Sequence, residues 1–132
     1  MLNPISVAFK KAKQENRPAL LTYTVAGDSS NKQSLDILKS ISNYADILEV
    51  GFPHNTPVAD GGQIQTSAYR AIKNGIKMND VFNIVKDFKK SNYSKPVILM
   101  GYYNMIYQYG DCLLYTSPSP RDRSSSRMPS SA

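Results

Sequence analysis

Short apolar segments alternate with helical patterns along the chain, and this alternation constrains the fold more than any other feature. Segments rich in β-branched, aromatic and leucine residues predict strands at 19–25, 47–50 and 97–100. Apolar residues at spacings of three and four predict helices at about 5–15, 31–43 and 62–73, and a further helix capped by Asn79 or Asp80. Its predicted inner face comprises Val81, Ile84, Val85 and Phe88. Strands separated by helices form a parallel sheet with helical cover, but three strands do not distinguish an open doubly wound sheet from a barrel.

Two carboxylates flank the loop that follows the second predicted strand. Glu49 lies near the end of that strand. Burial of its charge there is costly unless the carboxylate is paired, solvated or used in chemistry. Gly51 and Pro53 then stop the strand, and Asp60 closes the loop just before the next helix. Such a pair is suited to general acid and base chemistry, because burial raises one pKa while donors keep the other group ionised. The structural alternative is that Glu49 pairs with a lysine and that Asp60 caps the helix beginning near Gly61.

Composition excludes several classes of protein. A chain of 132 residues is at most one ordinary domain, and it has no apolar run of about 20 residues that would span a membrane. Early lysines interrupt any signal-peptide apolar region, and the single cysteine excludes an internal disulfide, so we expect a cytoplasmic location. His54 is the only histidine, and no cluster has metal-ligand spacing. We therefore expect no metal, and we expect His54 to face solvent without a role.

An aromatic run follows the third predicted strand. It consists of Tyr102, Tyr103, Tyr107 and Tyr109. With the lysines of the preceding helix, these rings favour one alternative function, a small basic α/β module that stacks nucleic-acid bases. The simpler interpretation is a half-buried helix face beside a pocket, with Lys86, Lys89 and Lys90 on a solvated surface. The net charge of +6 is modest and is more typical of solubility than of a polyanionic partner.

Several motifs in order carry a resemblance to a known family. The segments 49–53 (EVGFP), 57–61 (PVADG) and Ile64-Gln65 resemble the signature of the tryptophan synthase alpha chain family. Supporting segments are 23–28 (YTVAGD), Arg70-Ala71 with Gly75, and 99–104 (LMGYYN). The resemblance covers nearly all of residues 1–111. The other enzyme interpretation, a different phosphate-using barrel lyase or isomerase, would keep the carboxylates but lack the indole-lining residues around Tyr23 and Tyr102.

The resemblance implies an α/β fold, a (β/α)8 TIM barrel of which this chain carries only the first three β/α units. It implies a lyase of tryptophan biosynthesis that cleaves indole-3-glycerol phosphate to indole and glyceraldehyde 3-phosphate. Indole then passes to a tryptophan synthase beta chain, the partner in an alpha2-beta2 assembly, which holds the pyridoxal phosphate. This chain itself is expected to hold no cofactor and to bind neither nucleic acid nor membrane.

The same resemblance implies roles for particular residues. Glu49 is the expected general acid and base, which helps to protonate the indole ring at C3 and accepts the hydroxyl proton as the carbon–carbon bond breaks. Asp60 is expected to accept a hydrogen bond from the indole N–H and so to steady the positive charge that develops there. The residues expected to line the indole pocket are Tyr23, Ile64, Leu99 or Met100, and Tyr102.

The chain departs from the family in two respects. Asn55-Thr56 stands where the signature usually has Ser-Asp, in a loop that the family uses at the alpha–beta contact. The later strands and the glycine-rich loops that hold the substrate phosphate are also missing. We therefore expect the truncated chain to be inactive, because three strands cannot close a barrel.

The composition changes at Cys112. Residues 112–132 contain seven serines and three prolines and show no apolar period, which is typical of a disordered tail. The string 112–122 (CLLYTSPSPRD) also resembles a translated transposase-type sequencing adaptor, and we favour this interpretation. It predicts that residues 1–111 are the N-terminal part of a longer barrel domain and that 112–132 form a non-native, disordered tail.

Overall fold

The structure, a computed structural model, describes residues 3–110, so the predicted tail at 112–132 lies outside the described residues. Two units are present, one ending at Tyr102 and one beginning at Tyr103. The elements of the first unit are α1 (Pro4–Gln14), β1 (Leu21–Val25), α2 (Asn31–Ile41), β2 (Ile47–Gly51), α3 (Gly62–Lys73), α4 (Met78–Ser91) and β3 (Val97–Met100). The described part of the second unit contains α5 (Tyr103–Tyr109).

The three strands form one parallel sheet in the order β1-β2-β3. Tyr23 of β1 pairs with Glu49 of β2, and Glu49 pairs with Ile98 of β3. Because side chains alternate between the two faces of a sheet, these three residues form a row on one face, whereas Leu48 and Val50 point to the other. The predicted strands and their parallel arrangement are therefore confirmed.

The fully buried core lies on β2 and on the helices that follow the first two strands. Its largest members are Leu38, Ile47, Leu48, Val50, Val81 and Phe88. Three residues of the predicted inner face of α4 are buried, while Val85 is only partly buried. A row of apolar side chains at helical spacing thus packs α4 against the rest of the first unit.

The start of α4 corrects one prediction. Neither Asn79 nor Asp80 is the N-cap, because the helix begins at Met78 with Lys77 in the cap position. Asp80 instead lies in the first turn, where its carboxylate accepts a hydrogen bond from the backbone N–H of Lys77 at 2.8 Å. An acidic side chain in a first turn can satisfy an unpaired N–H from inside the helix as well as from before it.

An ion pair that the sequence did not predict lies where the strands begin. Both carboxylate oxygens of Asp46 accept hydrogen bonds from the Arg17 guanidinium, at 2.7 and 2.8 Å. One of them also accepts the backbone N–H of Leu20 at 2.8 Å. The Arg17 hydrogen bonds, and next that of Leu20, hold the pKa of Asp46 well below its usual range. The pair fixes the segment entering β1 against the start of β2.

Both outer strands present a free edge within residues 3–110. β1 and β3 each pair only with β2. Apolar side chains are exposed there, with Leu21 43% and Met100 49% exposed. A parallel sheet is normally covered on both faces, so this part of the chain has the surface of an unfinished sheet. In the described part of the chain, no helix has the length and apolar character needed to cross a membrane.

Candidate active site

Glu49 lies on the sheet face that carries Tyr23 and Ile98. Its side chain is partly buried. Within residues 3–110, no hydrogen bond or ion pair engages its carboxylate. The alternative in which Glu49 pairs with a lysine is therefore not what the structure shows. A carboxylate held half-buried on a rigid strand without a partner is available to a ligand.

Asp60 does not cap the helix that follows it. The N-cap of α3 is Gly61, and no side chain provides a capping hydrogen bond. The Asp60 carboxylate instead accepts a hydrogen bond from the Tyr102 hydroxyl at 3.2 Å. Its backbone oxygen accepts the side-chain N–H of Gln65 at 2.8 Å. Asp60 is thus held on one side by Tyr102, which follows β3, and on the other by Gln65 of α3.

Tyr102 and His54 together shape the loop that carries Asp60. The Tyr102 hydroxyl accepts the backbone N–H of Ala59 at 3.1 Å. Its ring stacks on His54, with centroids 4.6 Å apart and planes at 27°. His54 Nδ1 in turn accepts the backbone N–H of Thr56 at 3.0 Å. The expectation that His54 is a solvent-facing bystander is therefore wrong, and no local sequence signal could have revealed a contact with a residue 48 positions away.

The Tyr23 hydroxyl lies within electrostatic range of both carboxylates. Burial raises the pKa of the Tyr23 hydroxyl, and the negative charges of Asp60 and Glu49 raise it further, in that order. Strand register independently places Tyr23 beside Glu49. Ile64 packs with Tyr23 against a buried cluster of Val25, Ala68 and Ala71. The structure thus places five of the predicted residues in one region: Tyr23, Glu49, Asp60, Ile64 and Tyr102.

Gly51 has a different role from the one that the sequence suggested. It does not stop the strand, because β2 includes it. A Cβ at Gly51 would collide with the hydroxyl end of Tyr23. Glycine is therefore required here because an aromatic ring from the neighbouring strand lies directly over the backbone.

Strand register separates the two candidates on β3. Met100 pairs with Gly51 and therefore shares the face of Glu49, whereas Leu99 pairs with Val50 and lies on the opposite face. Leu99 is thus corrected from a pocket residue to one on the far side of the sheet. Ile98, which the sequence analysis did not single out, occupies the position next to Glu49.

The remaining residues of the aromatic run lie on α5, and the predicted surface lysines lie on α4. Tyr102 and Tyr109 are partly buried, whereas Tyr103 and Tyr107 are 71% and 68% exposed, so the expected half-buried face is confirmed for two of its four tyrosines. Lys90 forms an ion pair with Asp87 at 2.7 Å on the exposed face of α4. Lys89 donates hydrogen bonds to backbone oxygens beyond the end of α4. Among residues 3–110, no group of three or more histidine, cysteine or acidic side chains is placed to hold a metal ion.

The arrangement provides two carboxylates with different surroundings. Glu49 has no protein hydrogen bond within the described residues, whereas Asp60 is oriented by a tyrosine hydroxyl. Carboxylates in different environments can take different chemical roles at the same pH. Each carboxylate has an aromatic neighbour, Tyr23 beside Glu49 and Tyr102 hydrogen-bonded to Asp60, and aromatic side chains beside a few polar groups suit a flat apolar ligand with a polar edge.

Comparisons with known proteins identify relatives of this chain. The family model described as tryptophan synthase alpha chain matches residues 9–117. A tryptophan synthase alpha chain from Pelagibacter ubique (strain HTCC1062) is 79% identical over 107 residues, which are 81% of this chain and 40% of that protein. The chain therefore spans less than half the length of this curated relative.

Solved structures show the same relationship in three dimensions. Tryptophan synthase subunit alpha from Legionella pneumophila str. Paris matches with a TM-score of 0.84 and 36% identity, over 89% of this chain and 45% of that one. A structure of the tryptophan synthase a2b2 complex from Pyrococcus furiosus matches with a TM-score of 0.67 and 44% identity, over 70% of this chain and 39% of that one. The predicted partial (β/α)8 barrel, with three sequential parallel β/α units, is confirmed.

Proposed function

The chain belongs to the tryptophan synthase alpha chain family, and on that premise we propose that the complete polypeptide containing residues 3–110 cleaves indole-3-glycerol phosphate to indole and glyceraldehyde 3-phosphate. Family membership gives it the role of a lyase in tryptophan biosynthesis. The observation that supports the substrate is that Glu49 lies beside Tyr23 in the sheet while Asp60 accepts a hydrogen bond from the Tyr102 hydroxyl. An indole ring is flat and apolar with a single N–H, which matches an aromatic wall with one oriented carboxylate.

Glu49 is the proposed general acid and base. It gives a proton to C3 of the indole ring, which leaves the ring nitrogen positively charged. The bond between C3 and the glycerol carbon then breaks, its electrons return to the ring, and the hydroxyl on that carbon becomes the aldehyde. Glu49 takes up the hydroxyl proton, so it ends the cycle as it began. Its half-buried position, with no hydrogen-bond partner among residues 3–110, suits a group that must both give and take a proton.

Asp60 is the proposed partner of the indole N–H. Positive charge develops on the ring nitrogen in the protonated intermediate, and a carboxylate already fixed in place stabilises it without reorganisation. The Tyr102 hydroxyl provides this fixation by its hydrogen bond to Asp60. Tyr23, Ile64, Met100 and Tyr102 are the proposed pocket walls, and register adds Ile98.

Partner, cofactor and location are part of the same proposal. The chain is proposed to act with a tryptophan synthase beta chain in an alpha2-beta2 assembly in the cytoplasm, with pyridoxal phosphate in the beta chain and no cofactor of its own. The Pyrococcus furiosus relative was solved as an a2b2 complex. The loop with Asn55 and Thr56 is exposed, and Val58 is 79% exposed, so this loop is free for a contact.

The decisive experiment uses a completed chain, in which residues 1–111 are joined to the remaining part of the Pelagibacter ubique alpha chain. Indole release from indole-3-glycerol phosphate is measured for this chain and for its Glu49→Gln and Asp60→Asn variants. Each substitution is expected to lower kcat by about 100-fold or more, because each removes a proton carrier or a fixed charge. Asp36→Asn on the exposed face of α2 is the matched control and should leave kcat unchanged.

The outcomes separate the alternatives. Absence of indole release from a folded completed chain would reject the proposed reaction. Full activity of Glu49→Gln would reject the role of Glu49. Binding of single-stranded nucleic acid that weakens steeply with salt would instead support the basic-module alternative.

The 132-residue chain alone is proposed to be inactive. Within residues 3–110 the sheet edges at Leu21 and Met100 are exposed, and burial this incomplete does not support a cooperative fold. We expect neither a cooperative thermal transition nor indole release from it. Observation of both would contradict this part of the proposal.

A further inference from the structure

Asp28 and Arg70 belong to the motifs that mark this chain, and the function described above gives neither a role. Asp28 follows β1, and Arg70 lies in the last turn of α3. The Arg70 guanidinium donates to both carboxylate oxygens of Asp28, through Nε at 2.7 Å and Nη2 at 2.7 Å. The Ser67 hydroxyl, one turn earlier in α3, donates to Asp28 at 2.5 Å. Asp28 therefore accepts three hydrogen bonds from one helix.

Further contacts fix the same turn to the same helix. The side-chain N–H of Asn74, at the end of α3, donates to the backbone oxygen of Ser29 at 2.9 Å. Gly27 has φ +79°, and Ile76 packs so closely against it that a Cβ would collide. On its other side, the Gly27 N–H donates to the buried hydroxyl of Ser34 in α2 at 2.8 Å. The turn after β1 is thus a fixed point to which α3 is fastened at its C-terminal half.

The N-terminal half of α3 leads directly to Asp60. The N-cap residue, Gly61, makes no side-chain hydrogen bond to the first turn of the helix. It contacts the loop through Gln65, whose side chain donates to the backbone oxygen of Asp60. An α-helix of 12 residues is a rigid rod about 18 Å long. Contacts that fix the C-terminal end of α3 therefore also restrict the position of its N-terminal end and of Asp60.

We propose that Asp28 and Arg70 are positioning residues for Asp60, and that they act by clamping α3 to the turn after β1. This inference rests on the proposed function, because it assigns its effect to the carboxylate that receives the indole N–H. The geometry requires arginine, since only a planar fork grips both carboxylate oxygens and fixes an angle as well as a distance. A lysine keeps the charge but loses the angular constraint. The clamp thus sets the orientation of α3 as well as its contact with β1.

The test compares Arg70→Lys and Asp28→Asn in the completed chain, with Lys73→Gln in the same exposed last turn as the control. We expect kcat, normalised to the folded fraction, to fall about tenfold or more in both clamp variants, since small displacements of a charge-stabilising group act chiefly on the transition state. KM should change by less than about threefold. Amide hydrogen exchange over residues 57–62 should rise in both variants and not in the control.

A second measurement separates positioning from simple loss of stability. If Arg70 and Tyr102 both act through Asp60, the effects of Arg70→Lys and Tyr102→Phe on kcat are expected to be non-additive. Unchanged kcat per folded molecule, with only a lower unfolding midpoint, would overturn the inference and leave a purely structural ion pair. If the completed chain released no indole at all, the proposed function would fail, while the exchange measurement would still decide whether the clamp orders residues 57–62.

Discussion

Replacement of Tyr102 by phenylalanine tests how the loop holds Asp60. The substitution keeps the ring that stacks on His54 and removes only the hydroxyl. That hydroxyl donates to the Asp60 carboxylate at 3.2 Å and accepts the Ala59 N–H at 3.1 Å. The change is therefore confined to two hydrogen bonds on one loop.

The expected magnitude follows from these two contacts. A hydrogen bond to a charged group contributes about 1.5–3 kcal/mol, and the length of this one places it near the lower end, at about 1.5 kcal/mol. Ala59 is exposed, so water replaces the lost acceptor there at little cost. About 1.5 kcal/mol of lost transition-state stabilisation corresponds to roughly a tenfold lower kcat/KM.

The assay is steady-state indole release from indole-3-glycerol phosphate by the completed chain. Tyr103→Phe is the matched control, because it makes the same chemical change at the adjacent, exposed residue. Urea unfolding should show a stability loss of no more than about 1.5 kcal/mol for Tyr102→Phe and below about 0.5 kcal/mol for the exposed Tyr103→Phe. If Tyr102→Phe keeps kcat/KM within about twofold of the parent, or if Tyr103→Phe loses as much, the reasoning is refuted.

Three further predictions concern the completed chain. Gly51→Ala places a Cβ against the Tyr23 hydroxyl, so we expect a stability loss of about 1–3 kcal/mol by urea unfolding and a lower kcat/KM. Gly62→Ala, where a Cβ meets open space, should cause neither change and is its control. Asp46→Asn removes a carboxylate whose pKa is lowered by Arg17, so the stabilisation is present above the ordinary carboxyl pKa and disappears as pH falls below it. The difference in unfolding free energy between parent and variant should therefore shrink from about pH 6 to about pH 3, and a constant difference would contradict the assignment. Phe88→Ala empties a site that is 0% exposed, so urea unfolding should show a loss of about 3–5 kcal/mol, and a loss below about 1 kcal/mol would show that this part of the core is not closely packed.

The sequence predicted the elements of this fold well because each depends on local patterns. The row Val81, Ile84 and Phe88 recurs at helical spacing, and all three are buried on α4. The Asn74-Gly75 stop of α3 depends on a left-handed glycine, and Gly75 has φ +78°. The cap of α4 was mistaken because Asp80 makes its hydrogen bond to Lys77 from within the first turn.

The candidate site was only partly predictable. Glu49 and Asp60 stood out because carboxylates near a buried strand and at the end of a glycine-rich loop are unusual. The choice of Met100 over Leu99 was open, because it depends on which residue of β3 pairs with Gly51. Register is set by packing and pairing across strands, and the sequence of one strand does not contain it.

By itself, the sequence determined the order of strands and helices and which residues could carry chemistry, since periodicity, turn residues and motifs are properties of neighbouring positions. Only the tertiary structure decided that Tyr102 orients Asp60, that His54 stacks on Tyr102, and that Arg70 clamps Asp28. Each of these contacts joins residues more than 40 positions apart. The contacts of Tyr102 exist because parallel strands place the loops after successive strands at one edge of the sheet. The Arg70 contact exists because α3 packs beside β1 and the turn that follows it.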